Sequence, residues 1–134
     1  SITANSKAKR SREMLRADDP FVLNRRVTTR AVEIGGRGVP AGARVVLNWT
    51  AANRDPAVFG EPDAHRPEEN ARHNLVYGIG RHACPGRALA THELREALTA
   101  LLRATTTLAL SPSEDPVRET PPLGGYARVP LVLA

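Results

Sequence analysis

The chain has 134 residues, 41% hydrophobic and 25% charged, the composition of a folded domain rather than a disordered one. No run approaches the ~18 apolar residues of a membrane span, and the basic start carries no apolar signal core. The lone cysteine, Cys84, excludes an intrachain disulfide and suits a reducing, cytoplasmic compartment.

The net charge of +5 arises within residues 1–30, where eight Lys/Arg face three acids. A basic arm of this kind invites nucleic acid. No aromatic residue precedes Phe21 to stack on a base, so a solvated basic face is expected, with no nucleic-acid partner and no membrane. In chain order, residues 7–17 (KAKRSREMLRA) predict a short helix, ended by Asp18-Asp19-Pro20 because the residue before proline leaves the α region. Val27 to Ile34 predicts a strand running into the Gly35-Gly36 turn. A second turn at Val39-Pro40-Ala41-Gly42 leads to a second strand, Ala43 to Leu47. Residues 53–74 are polar and proline-bearing without periodicity, which predicts a long irregular loop of a functional kind. From Arg87, leucines at 94, 98 and 101 fall on one helical face. The helix should fade at Thr105-Thr106-Thr107, and a final strand is expected from Arg128 to Leu133.

The segment Tyr77-Gly78-Ile79-Gly80-Arg81-His82-Ala83-Cys84-Pro85-Gly86 carries the chemistry. Its glycines permit tight turns and close approach to a flat ligand. A cysteine just ahead of a helix sits where N–H groups and the helix dipole favour thiolate, and thiolate ligation of haem favours O–O cleavage. Three other readings stay open on residues alone. Cys84 could be a small buried hydrophobe, a nucleophile paired with His82, or part of a zinc site with His73, His82 and His92, whose spacing is unusual for zinc.

YGIGRHACPG resembles the cytochrome P450 cysteine-ligand loop, F-G-x-G-x-H-x-C-x-G, with Tyr77 in place of Phe. Glu13-Met14-Leu15-Arg16 is similar to the family's E-x-x-R motif, and TPPLGGYARVPLVLA to its closing β-hairpin. The resemblance spans residues 12–134 and leaves residues 1–11 as an unmatched basic segment. It implies an α+β chain, the C-terminal part of the mainly helical cytochrome P450 fold. It further implies Cys84 as the metal ligand, with Tyr77, Gly78, Gly80 and Gly86 shaping the loop against haem b (iron protoporphyrin IX) and offering N–H groups to the sulfur. His82 and Arg26 match positions that meet haem propionates, and Glu13 with Arg16 would form a structural ion pair. Many relatives carry, at Glu69, an arginine that joins this pair; here Arg66 is the candidate substitute. The expected activity is a monooxygenase inserting one oxygen atom from O2 into a small organic substrate. Electrons would come from NAD(P)H through a ferredoxin or flavoprotein. Family members are several times longer, so the resemblance implies a chain that lacks the oxygen-activating helix and distal pocket. The alternative expectation is a truncated, non-catalytic remnant with little or no haem binding.

Overall fold

The computed structural model describes residues 4–134; Ser1–Thr3 of the expected N-terminal segment lie outside the described residues. Helix α1 (Ala4–Ala17) runs three residues further toward the N-terminus than its composition predicts, and it crosses residue 11 without a break. The chain then leaves the helix at Asp18-Asp19-Pro20 as expected.

The strand expected from Val27 to Ile34 is two strands. β1 (Leu23–Val27) pairs antiparallel with β4 (Arg44–Asn48), Leu23 opposite Asn48 and Val27 opposite Arg44. β2 (Val32–Ile34) pairs with β3 (Arg37–Val39). Thr28 makes the corner between them. Its N–H donates to Ala43 O, its hydroxyl donates to Pro40 O at 2.6 Å, and its own oxygen accepts from the Ala43 N–H at 3.0 Å. Its side chain thus competes with the ladder, which β-propensity alone does not register. Gly35 and Gly36 form the two-residue β2–β3 turn, with φ of +56° and +76°. That mirror-image turn needs positive φ at both positions.

Helix α2 (Trp49–Asn53) ends on the first residue of the expected irregular loop, and that loop contains two further short helices, α3 (Pro56–Phe59) and α4 (Pro67–Asn70). The Asp55 side chain accepts from Ala57 N at 2.9 Å, and proline occupies the first turn of both α3 and α4. Proline is pre-set for that position. Helices of four or five residues are too short to show a 3.6-residue period, so the capping residues are their only sequence signal.

The long helix α5 (Arg87–Ala104) follows as its leucines predict. β5 (Leu108–Leu110) pairs with β8 (Leu131–Leu133), and β6 (Val117–Arg118) pairs with β7 (Tyr126–Arg128). The expected final strand is therefore split at Val129-Pro130, where proline has no N–H for a ladder. Pro130 O instead accepts from Ser111 N at 3.0 Å.

Among the described residues Phe59 is the one buried hydrophobic side chain. Glu13, Arg16, Asp19, Asn53, Asn70 and Asn74 are buried as well. The Arg16 guanidinium stacks over the Phe59 ring, 4.8 Å from its centroid. The interior joining α1, α2, α3 and α4 is a polar network on one aromatic ring.

Candidate functional site: a cysteine loop on a buried polar hub

The hub begins with Glu13 and Arg16, one turn apart on α1 and at most 1% exposed. Arg16 donates from Nε to Glu13 Oε2 and from Nη2 to Oε1, both at 2.9 Å. This two-pronged geometry suits a planar guanidinium and a carboxylate. The remaining Arg16 donors reach backbone carbonyls across the chain, Asn53 O at 2.7 Å and Pro62 O at 2.8 Å. Glu13 Oε1 also accepts from Asn70 Nδ2 at 2.6 Å and from the Arg66 N–H at 3.2 Å. Burial raises the Glu13 pKa, but hydrogen bonds from Arg16, Asn70 and Arg66 outweigh it and hold the carboxyl below its ordinary value.

The third partner of the pair is therefore Asn70, with the Arg66 main chain. The Arg66 guanidinium turns outward to Glu61 at 2.7 Å and Glu69 at 3.4 Å. With a glutamate at position 69, Arg66 has an ion-pair partner at the surface and no need to be buried.

Asn53, fully buried, carries the hub to the loop. Its Nδ2 donates to Asp19 Oδ2 at 3.0 Å, and its Oδ1 accepts from Leu75 N at 2.8 Å. Asn74 donates to Arg12 O at 2.8 Å and accepts from Val76 N at 3.0 Å. Burial pushes the Asp19 carboxyl above its ordinary value, and the hydrogen bonds from Asn53 and the Phe21 N–H only partly offset it. Sequence reasoning missed Asn53, Asn70, Asn74 and Asp19. Asparagine in a polar stretch looks like turn chemistry, and only the tertiary structure shows it buried.

From this anchor the loop closes in two turns. Gly78 N donates to Leu75 O at 2.8 Å with φ of +65°, and Gly80 takes φ of +67°. A short 3-10 turn covers Gly80–His82, and the Cys84 N–H returns to Tyr77 O at 2.8 Å. Gly78 thus spends its N–H within the loop and does not offer it to the sulfur. Gly86 has an ordinary φ of −81°, and a Cβ there would stand 3.8 Å from Cys84 Sγ. Glycine at this position leaves that flank of the sulfur uncovered.

The loop faces a cavity of about 500 Å³ whose rim includes Cys84, His82, Tyr77, Gly78 and Arg26. Its walls include Phe21, Trp49, Val76 and Leu94. Trp49 is fixed by a 2.7 Å bond from Nε1 to Asn24 Oδ1, and Tyr77 OH lies 3.2 Å from Thr91 Oγ1. Gly80 and Gly86 lie outside the lining, as does Arg25, which shares a separate depression with Arg26 and Arg44. The other histidines stand apart: His73 packs edge-on to Phe59, and His92 lies 3.9 Å from Glu96. No group of three or more His, Cys, Asp or Glu among the described residues could hold a metal ion. One soft thiol, two cationic-capable side chains and an apolar wall fit a flat apolar metal macrocycle bearing carboxylates.

The cytochrome P450 family model matches residues 11–129. A putative cytochrome P450 140 of Mycobacterium tuberculosis is 48% identical over 84 residues, 60% of this chain and 19% of that protein. The 20-oxo-5-O-mycaminosyltylactone 23-monooxygenase of Streptomyces fradiae is 43% identical over 91 residues, 68% of this chain and 21% of its own length. The ligand-free structure of cytochrome P450 TbtJ1 superposes with a TM-score of 0.87 at 30% identity, over 98% of this chain and 35% of that one. The chain belongs to the cytochrome P450 family, and its α+β architecture is the C-terminal portion of that fold. It spans about a fifth of the length of the curated relatives named here.

Proposed function

We propose that this chain is the haem-thiolate part of a monooxygenase that inserts one atom of O2 into a small organic substrate. The observation that carries the reading is Cys84 on the rim of the same cavity as Arg26 and His82. Cys84, one turn before α5, would supply the thiolate ligand to haem b. Arg26 and His82 hold the propionates, and Phe21, Trp49 and Leu94 exclude water from the macrocycle. Bound haem supplies the dioxygen-activating chemistry, which a thiolate ligand favours. Electrons reach it from NAD(P)H through a ferredoxin or flavoprotein in the cytoplasm. No helix among the described residues is long and apolar enough to cross a membrane.

One observation favours the second reading, a chain that retains little haem: Cys84 is exposed. A single spectrum separates the two. The reduced carbon monoxide complex should show the red-shifted Soret band of thiolate ligation, and Cys84→Ala should abolish it. A band that survives in the variant would overturn the assignment of Cys84. Failure of the native chain to take up haem at all would favour the remnant.

A further inference from the structure

A second depression, of about 470 Å³, lies between α1 and α5 and is lined by Lys9, Arg12, Arg87, Thr91, His92 and Arg95. No carboxylate is among its lining residues. At the rim, Lys9 pairs with Glu68, and His92 Nδ1 lies 3.9 Å from Glu96. The side chains of Arg12, Arg87 and Arg95 have no carboxylate partner among the described residues, and Arg12 Nε is buried without any hydrogen-bond partner.

Three guanidinium groups gathered without an anion are an unfavourable arrangement. Burial lowers the Arg12 pKa, and the charge of Arg87 lowers it further. The position of Arg12 is nonetheless fixed from outside the groove. Its guanidinium lies 6.0 Å from the Tyr77 ring centroid, and its backbone carbonyl is held by Asn74. Ala8, Pro85 and Ala88 complete the lining with small side chains that leave room for a ligand. A single carboxylate would leave most of the N–H donors unpaired. A phosphate offers two charges and a tetrahedral set of acceptors, which planar arginine forks bind well.

We propose that this groove binds a phosphate group, as the free dianion or as a phosphate monoester, held by Arg12, Arg87 and Arg95. The inference is independent of haem chemistry and of the reading given under Proposed function.

The test is calorimetric titration of the full chain with inorganic phosphate and, separately, with glycerol 2-phosphate, ionic strength being held constant with potassium chloride. Saturable one-to-one binding is expected. The double variant Arg87→Gln/Arg95→Gln, whose side chains lie outside the buried hub, should weaken it at least tenfold, while Arg103→Gln at the far end of α5 should leave it unchanged. Far-ultraviolet circular dichroism of each variant confirms that the helices persist. Equal binding of both probes supports a monoester site, and binding of inorganic phosphate alone supports the free dianion. Heat no larger than that from chloride would overturn the proposal. So would phosphate binding undiminished in the double variant, or binding of an oligoglutamate peptide but not of phosphate, which would mark a protein-docking surface instead.

Discussion

Arg25 and Arg26 are neighbours with the same chemistry, and strand alternation separates them. Successive side chains on β1 point to opposite faces, so Arg26 reaches the cavity of Cys84 and Arg25 does not. Buried carboxylates near an apolar macrocycle need partners, and a charge-assisted bond contributes roughly 1.5–3 kcal/mol. Arg26→Ala should therefore weaken haem retention about tenfold or more, at ~1.4 kcal/mol per decade, while Arg25→Ala and Arg103→Ala should leave it near the native value. Haem transfer to apomyoglobin measures this directly. Loss in Arg25→Ala with retention in Arg26→Ala would place the register one residue off.

At the scale of elements, α1 is joined to α2, α4 and the cysteine loop by two carboxyls whose titrations oppose each other. Glu13 has a folded pKa below its ordinary 4.5. Its contribution is complete above that value and is lost as pH falls through the folded one. Asp19 has a folded pKa above its ordinary 3.8, so its contribution is present at low pH and is lost as pH rises through the folded value. Urea midpoints measured from acid to neutral pH should show Glu13→Gln losing the acid-side decline. Asp19→Asn should lose the decline above pH 3.8 and keep the bond from Asn53. A Glu13→Ala variant, leaving Arg16 buried without its partner, should cost about 3–5 kcal/mol. Parallel pH profiles in all three proteins would contradict the opposed titrations.

The cysteine loop and α5 are legible in the sequence because each has a strong local signal: closely spaced glycines around one cysteine, and a leucine stripe. The corner at Thr28 and the break at Pro130 were not, because both depend on which strand lies opposite. Asn53 and Asn70 were hidden for a further reason. Their role is to pair with side chains 34 and 57 residues away, and no short window contains both partners.

Over the whole molecule, apolar side chains are distributed outward. Leu89 and Leu102 on α5, Val46 on β4 and Ile79 in the cysteine loop are each more than half exposed, while among the described residues Phe59 is the one buried large hydrophobic. Where exposed apolar side chains adjoin, they bind other apolar surface. The purified chain should bind a hydrophobic dye and self-associate with rising concentration, read by fluorescence and light scattering. The double variant Leu89→Glu/Leu102→Glu should reduce both. A dye-silent monomer at about 100 µM would show that these side chains do not form a continuous patch.

The burial of Asn53 divides the cysteine loop by the rate at which its amides meet solvent. Leu75 N–H ends on a side chain with 0% exposure, whereas Ile79 lies beyond the Gly78 turn and is 68% exposed. Exchange at Leu75 requires the hub to open, and exchange at Ile79 requires only local motion. In deuterated buffer the Leu75 amide should exchange with the slow set of α1, orders of magnitude behind Ile79, and Asn53→Ala should move it into the fast set. The front of the loop is thereby tied to the opening free energy of the interior, while the half leading to Cys84 can breathe without unfolding anything. Equal rates at Leu75 and Ile79 in the native chain would show the loop opening as one piece.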